Sequence, residues 1–305
     1  MAADDTPRST FITAQDGLRL HVREYGPRTA PSLPVVCLPG LTRTTSDFDT
    51  LAPVLAGSRQ PRRVIAIDSR GRGQSDYDPK PENYNVLVEL NDVVTVLSAL
   101  GIGPAVFVGS SRGGILTMLL GATQPALIVG VVLHDIGPVI EIKGVARIKS
   151  YVGKLQEPRS FAEGAEILSQ LFGDQFPKLT AAHWLAAAEN TWKMAGGELV
   201  PTYDVKLAST LGDVDSEKPL PSMWNEFDAL KQVPVMVIRG ANSDLLSVET
   251  VNEMRSRYPG LEVIEVPDQG HVPLFDSLTI PAIVAFVAHC DSVGPRAGVA
   301  HSAAN

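Results

Sequence analysis

The chain alternates between short, largely apolar runs and longer stretches whose apolar residues recur at helical spacing. Residues 33–38, 64–67, 105–108, 128–133, 233–238 and 261–266 are runs of the first kind. Such runs, flanked by turn or polar residues, read as strands buried on both faces of a parallel sheet. Ahead of them, residues 11–14 and 18–22 flank Gln15-Asp16-Gly17. A D-G turn between two β-prone runs predicts a hairpin. Helical spacing over 48–56, 83–100, 115–122, 248–258 and 280–289 predicts helices between the strands, the second stopped by Gly101. The expected fold is α/β: an eight-stranded, mostly parallel sheet with helices on both faces.

Between residues 140 and 230 the alternation stops. Helical segments are predicted over 146–155, 161–172, 181–194 and 223–230, and no strand. All three tryptophans, Trp184, Trp192 and Trp224, fall in this block. It is expected to be a helical cap inserted above the C-terminal edge of the sheet, where open α/β sheets bind ligands. Residues 1–139 and 231–290 then form the core, 140–230 the cap, and the small, polar stretch 291–305 a disordered tail.

Composition narrows the function classes. The 305 residues are 44% hydrophobic and 20% charged, as in ordinary folded domains. The formal net charge is −8 and no Lys/Arg-rich run occurs, which argues against nucleic acid or an anionic membrane as partner. Residues 1–10 lack a basic segment followed by an apolar one, so no secretory signal is expected. No run reaches the length of a membrane span. Of the two cysteines, Cys37 lies within an apolar strand run, and neither belongs to a disulfide framework. A cytoplasmic location fits this usage. Nothing in the chain sets an oligomeric state.

The chemistry starts at Gly109-Ser110-Ser111-Arg112-Gly113, where an apolar run ends and a helical pattern begins. G-x-S-x-G between strand and helix is a tight turn that holds the serine hydroxyl clear of the sheet. Side chains at 109 or 113 would collide with their neighbours. Ser111 is therefore the expected nucleophile, and it needs a base. Of six histidines, His271 stands out: it follows the last strand, in Pro267-Asp268-Gln269-Gly270-His271, on the same sheet edge as Ser111. His301 lies in the tail, His289 ends a helix, His21 is in the hairpin, His183 is in the helical block, and His134 leads into the insertion.

A carboxylate should hold the histidine in one tautomer. Asp244 follows the strand at 233–238, and the order Ser111, Asp244, His271 suits this type of turn. Asp244 is the preferred acid. Asp135 is the rival, because it also ends a strand on this edge; its alternative role is to cap the entry to the insertion. Asp268 is too close to His271 in sequence and reads as a turn residue. The oxyanion needs two main-chain donors: Arg112, after the nucleophile, and Leu41, in the loop Pro39-Gly40-Leu41-Thr42. Arg43 and Arg112 are candidates for a substrate carboxylate, with a surface ion pair as the alternative for Arg112. Trp184, Trp192 and Met194 are candidate pocket residues, with cap packing as their plainer role. Neither H-E-x-x-H nor paired Cys/His spacing occurs, and the turn at 70–73 does not open a helix, so no metal or nucleotide cofactor is expected.

From residue 11 to 289 the chain resembles an α/β-hydrolase fold enzyme, in the branch of capped esterases, lactonases and carbon–carbon hydrolases. The motifs carrying the likeness are Leu38-Pro39-Gly40, Asp68-x-Arg70-Gly71-x-Gly73-x-Ser75, the serine turn, Arg239-Gly240 through Asp244, and Gly270-His271. Pro39 stands where the family often has His. The resemblance implies a structural role for Arg70 and Arg72. Ser111 argues against the fold's dehalogenases and epoxide hydrolases, which use aspartate as nucleophile. Val272 follows His271 where ring-fission carbon–carbon hydrolases often carry an aromatic. The expected function is hydrolysis of a small carboxylic ester or lactone through an acyl-enzyme. Carbon–carbon hydrolysis and a non-catalytic ligand-binding role are the alternatives.

Overall fold

The eight runs read as strands form one sheet in the computed structural model, which describes residues 6–212 and 218–294. In chain order the first part comprises β1 (Arg8–Thr13), β2 (Arg19–Tyr25), β3 (Val35–Leu38), α1 (Ala52–Ala56), β4 (Val64–Ile67), α2 (Val86–Ala99), β5 (Ala105–Ser110), α3 (Arg112–Thr123) and β6 (Ile128–His134). An insert follows, with α4 (Ile142–Tyr151), α5 (Phe161–Phe172), α6 (Ala181–Thr191), β7 (Trp192–Ala195) and β8 (Glu198–Pro201). The chain then returns through α7 (Trp224–Ala229), β9 (Val235–Gly240), α8 (Val248–Arg257), β10 (Glu262–Val266) and α9 (Thr279–Val293).

The strand order is β1-β2-β4-β3-β5-β6-β9-β10. β1 and β2 pair antiparallel, as does β2 with β4; every other pairing in this sheet is parallel. Successive side chains on a strand face opposite sides, so each central strand feeds two apolar layers. Val36 and Leu38 join Val93, Val96, Leu116, Phe227 and Met254 on the α2, α3, α7 and α8 side. Val35 and Cys37 join Leu55, Ile283, Phe286 and Val287 on the α1 and α9 side. This double covering explains the uniformly apolar runs.

The insert departs from the sequence reading at three points. The helix expected over 181–194 ends at Thr191, and β7 and β8 form an antiparallel ribbon where no strand was expected. Gly196 and Gly197 make its turn, both at positive φ (61° and 93°), a conformation that glycine adopts at little cost. The first insert helix runs over Ile142–Tyr151 rather than 146–155. α7, read as part of the cap, packs on α3, with Phe227 in the main core. The insert also has a core of its own, built from Leu168, Phe176, Trp184, Ala188, Trp192 and Leu199. It is stitched to the turn after β4: Asp204 N–H donates to Gly71 O at 2.7 Å, and Gly73 N–H to Thr202 O at 2.7 Å.

The C-terminal end differs too. α9 continues to Val293, and Asp291 pairs with Arg62 at 2.9 Å, so the ordered chain passes residue 290. Residues 295–305, with His301, lie outside the described residues. Among the described residues, no helix is long and apolar enough to cross a membrane.

Candidate active site

β5 ends at Ser110 and α3 begins at Arg112, so Ser111 alone makes the turn. Its φ of 50° is left-handed, a conformation that costs a non-glycine residue about 1–3 kcal/mol. The surroundings enforce it. Ser111 N–H donates to His134 O at 3.0 Å, clipping the turn to the end of β6. A Cβ on Gly113 would lie 2.0 Å from Leu38 O, and one on Gly109 would lie 2.6 Å from the Gly113 main chain. The two glycines therefore let strand and helix close to a distance that no side chain permits.

His271, in the loop after β10, reaches this serine. Its Nε2 lies 2.8 Å from Ser111 Oγ, and its Nδ1 lies 2.7 Å from Asp135 Oδ2. With the proton on Nδ1, the imidazole donates to Asp135 and accepts from the serine hydroxyl. Asp135 is fully buried. Its Oδ1 accepts from Gly240 N–H at 2.7 Å, and its Oδ2 also accepts from Ser243 Oγ at 2.6 Å.

This arrangement corrects the expected acid. Asp244 does not reach His271. Both its oxygens bind Arg147 of α4, at 2.6 and 2.8 Å. Burial pushes the Asp244 carboxyl up, but the arginine outweighs it and holds it below the usual range. The physical reason lies in the sheet order. β6 neighbours β5, whereas β9 stands one strand further from Ser111. The end of β9 and the loop after it send Gly240 N–H and Ser243 Oγ to Asp135, so they supply donors to that carboxylate rather than a carboxylate to His271. Asp244, further along that loop, meets the insert.

The expected oxyanion donors flank the serine. Arg112 N–H is the first amide of α3 and has no partner within the helix. Among the described residues, neither it nor Leu41 N–H donates to another main-chain group. Both would act at the positive end of the α3 dipole. A Cβ on Gly40 would lie 3.6 Å from Ser111 Cβ and 3.3 Å from Arg43 Cγ, so the Leu41 loop passes close beside Ser111.

The remaining candidates have other partners. The Arg112 guanidinium pairs with Glu89. Arg43 forks onto Asp47, nearest contact 2.7 Å, and its remaining nitrogen lies 3.4 Å from Thr191 Oγ1. Trp184 and Trp192 fill the core of the insert, while Met194 is exposed. Arg70 is buried among Asp16, Asp78 and Asp92, and Arg72 beside Glu89. His134 is buried; its Nδ1 lies 2.9 Å from Ser110 Oγ, and burial pushes its pKa down to about 4. It is neutral at pH 7. Ser243 and Glu89 were not singled out by sequence reasoning, since neither belongs to a spacing pattern. Among the described residues, no group of three or more His, Cys, Asp and Glu could hold a metal ion.

Comparison with known proteins agrees with this architecture. The chain is 34% identical over 284 residues to a 3-hydroxybutyrate-oligomer hydrolase of Cupriavidus necator, covering 88% of this chain and 94% of that one. It is 26% identical over 275 residues to a 2-(acetamidomethylene)succinate hydrolase of Mesorhizobium japonicum, covering 88% and 92%. A crystal structure of an alpha/beta hydrolase from Novosphingobium aromaticivorans superposes with a TM-score of 0.86 at 38% identity, covering 92% of this chain and 98% of that one. The Alpha/beta hydrolase family model matches residues 35–280. With the sheet order and the serine turn, these likenesses show that the chain belongs to the Alpha/beta hydrolase family.

Proposed function

We propose that the protein is a serine hydrolase of carboxylic esters. The observation that carries this reading is the continuous relay Ser111 Oγ, His271 Nε2, His271 Nδ1, Asp135 Oδ2, with contacts of 2.8 and 2.7 Å. Ser111 Oγ attacks the ester carbonyl and its proton passes to His271 Nε2. Asp135 keeps the other ring proton in place and stabilises the imidazolium. The tetrahedral oxyanion takes hydrogen bonds from Leu41 and Arg112 N–H, each worth about 2.7–4 kcal/mol in transition-state stabilisation. His271 returns its proton to the leaving alcohol. Water then attacks the acyl-enzyme with His271 taking its proton; the bond to Ser111 Oγ breaks, His271 returns the proton to that oxygen, and the carboxylic acid leaves. The insert acts as a cap over this edge.

The 34% identity to a hydrolase of 3-hydroxybutyrate oligomers makes short hydroxy-acid oligoesters the first substrates to test. Ser111→Ala is expected to abolish turnover of both 3-hydroxybutyrate dimer and p-nitrophenyl butyrate while the melting temperature is kept. Turnover by folded Ser111→Ala would refute the assignment. Fluorophosphonate labelling of the wild type, absent in the variant, separates a catalytic protein from a non-catalytic binder.

A further inference from the structure

The two amides of the oxyanion hole come from different parts of the fold, yet their residues converge on a single side chain. Glu89 lies in the first turn of α2 and is 1% exposed. Its Oε1 accepts from Arg72 at 2.6 Å, and its Oε2 accepts from Arg112 Nε. Arg72 is itself 1% exposed, and its Nε donates to Leu41 O at 2.7 Å. Arg112 also donates to Tyr84 O at 3.2 Å. A continuous path therefore runs from the Leu41 carbonyl through Arg72 and Glu89 to the Arg112 side chain.

We infer that Glu89 is a positioning residue: one buried carboxylate sets the separation of the two oxyanion donors by tying Arg72, which holds the Leu41 loop, to Arg112. This rests on the serine-hydrolase reading above. Oxyanion stabilisation depends on donors fixed in place before charge develops, so a small drift on either side lowers the rate without weakening ground-state binding. An exposed glutamate and a pair of flexible arginines could not do this. Buried and doubly paired, Glu89 stays charged: burial pushes its carboxyl up, but Arg72 and Arg112 outweigh that and hold it below the usual range. Arg72 brings in a third element, since its main chain bridges to Tyr203 of the insert. The stretch of the insert just after β8 thus bears on the residue that holds the Leu41 loop.

The test is Glu89→Gln, which keeps the shape but puts an amide NH₂ against one guanidinium. For p-nitrophenyl butyrate, kcat is expected to fall about 10–100-fold, short of the loss of a whole donor, with KM nearly unchanged. The Ki of an aryl trifluoromethyl ketone, whose adduct carries the oxyanion, should rise by the same factor. The acid limb of the kcat/KM profile should not move. A folded Glu89→Gln with kcat close to wild type, or with a ketone Ki that does not follow kcat, overturns the inference. Should that variant fail to fold, Arg112→Met cuts the strut at its more accessible end while keeping the amide. A parallel, smaller change in kcat and ketone Ki is expected, and no change overturns the inference. A wild type inactive on every ester sinks the hydrolase reading instead. The strut is then judged by amide hydrogen exchange in residues 40–43 and 111–114. Exchange there should speed up at least tenfold in Glu89→Gln or Arg112→Met, and unchanged exchange overturns it.

Discussion

Exchanging Asp135 and Asp244 for asparagine, one at a time, separates the acid read from sequence from the acid found in the structure. Asp135 receives three hydrogen bonds: Gly240 N–H on Oδ1, and Ser243 Oγ and His271 Nδ1 on Oδ2. Asparagine has one acceptor oxygen and one NH₂. If the oxygen faces Gly240, the NH₂ faces His271 Nδ1–H, donor against donor. Flipping the amide moves the conflict onto the Gly240 N–H, which cannot rotate away. The relief is a change of imidazole tautomer. Nδ1 then accepts from the amide and Nε2 carries the proton, so it cannot take one from Ser111. A misplaced tautomer of this kind lowers kcat about 10⁴-fold, or about 5.4 kcal/mol. Asp244→Asn leaves His271 alone. It keeps one arm of the Arg147 fork and weakens a pair whose side chains are 10% and 19% exposed. That lies between the surface and buried limits, so about 1–2 kcal/mol of stability is at stake. Activity should fall less than tenfold. The assay is kcat/KM on p-nitrophenyl butyrate, with thermal unfolding followed by circular dichroism as the folding control. Asp135→Asn retaining more than about 1% of kcat, or Asp244→Asn showing the larger loss, refutes the reasoning.

Two further outcomes follow from packing and burial. Gly113→Ala puts a Cβ 2.0 Å from Leu38 O, a main-chain atom in the centre of the sheet, so soluble yield or melting temperature should drop sharply. Ordinary thermal stability in that variant contradicts the tight-turn account. His134 has a folded pKa of about 4 against an ordinary 6.5. Below pH 6.5 the unfolded chain takes up a proton that the folded chain refuses, so His134 costs stability as pH falls from 6.5 to 4, by about 3 kcal/mol at the lower end. Replacing it with Asn should flatten the urea midpoint across that window relative to wild type, and parallel pH curves contradict this.

The sheet was legible because burial on both faces leaves a signature that needs no tertiary knowledge. Val64 to Ile67 and Ala105 to Val108 can hardly be anything other than central strands. The serine turn was legible for a similar reason: Gly109 and Gly113 are required by main-chain contacts within a few residues and across one strand. The ribbon at Trp192–Ala195 and Glu198–Pro201 was not. Its helical approach, Ala181–Thr191, carries apolar residues that continue into Trp192 and Met194, so the periodicity gives no stop. The Gly196-Gly197 pair was the available signal, and the expectation of a purely helical insert overrode it. Trp184 and Trp192 misled in the same direction. Large aromatics in a cap attract a binding role, yet an insert of this size needs a core of its own, and the two tryptophans supply it.

The choice of acid failed for a deeper reason. Chain order does not distinguish the two aspartates, since Ser111, Asp135, His271 and Ser111, Asp244, His271 both run serine, acid, histidine. What distinguishes them is which strand lies beside β5, and strand order is a property of the folded sheet. Once β6 is the neighbour, Asp135 at its end stands under the His271 loop, and its left-handed φ of 53° turns the carboxylate toward the ring. The end of β9 and the loop after it become a donor surface for that carboxylate through Gly240 and Ser243. Asp244 is released to hold Arg147, and with it the first helix of the insert. The two aspartates take different partners: Asp135 bonds the His271 imidazole, and Asp244 ties α4 of the insert to the loop after β9. A search for one acid in the sequence had two correct-looking answers because the fold uses both, a strand apart, on the same edge of the sheet.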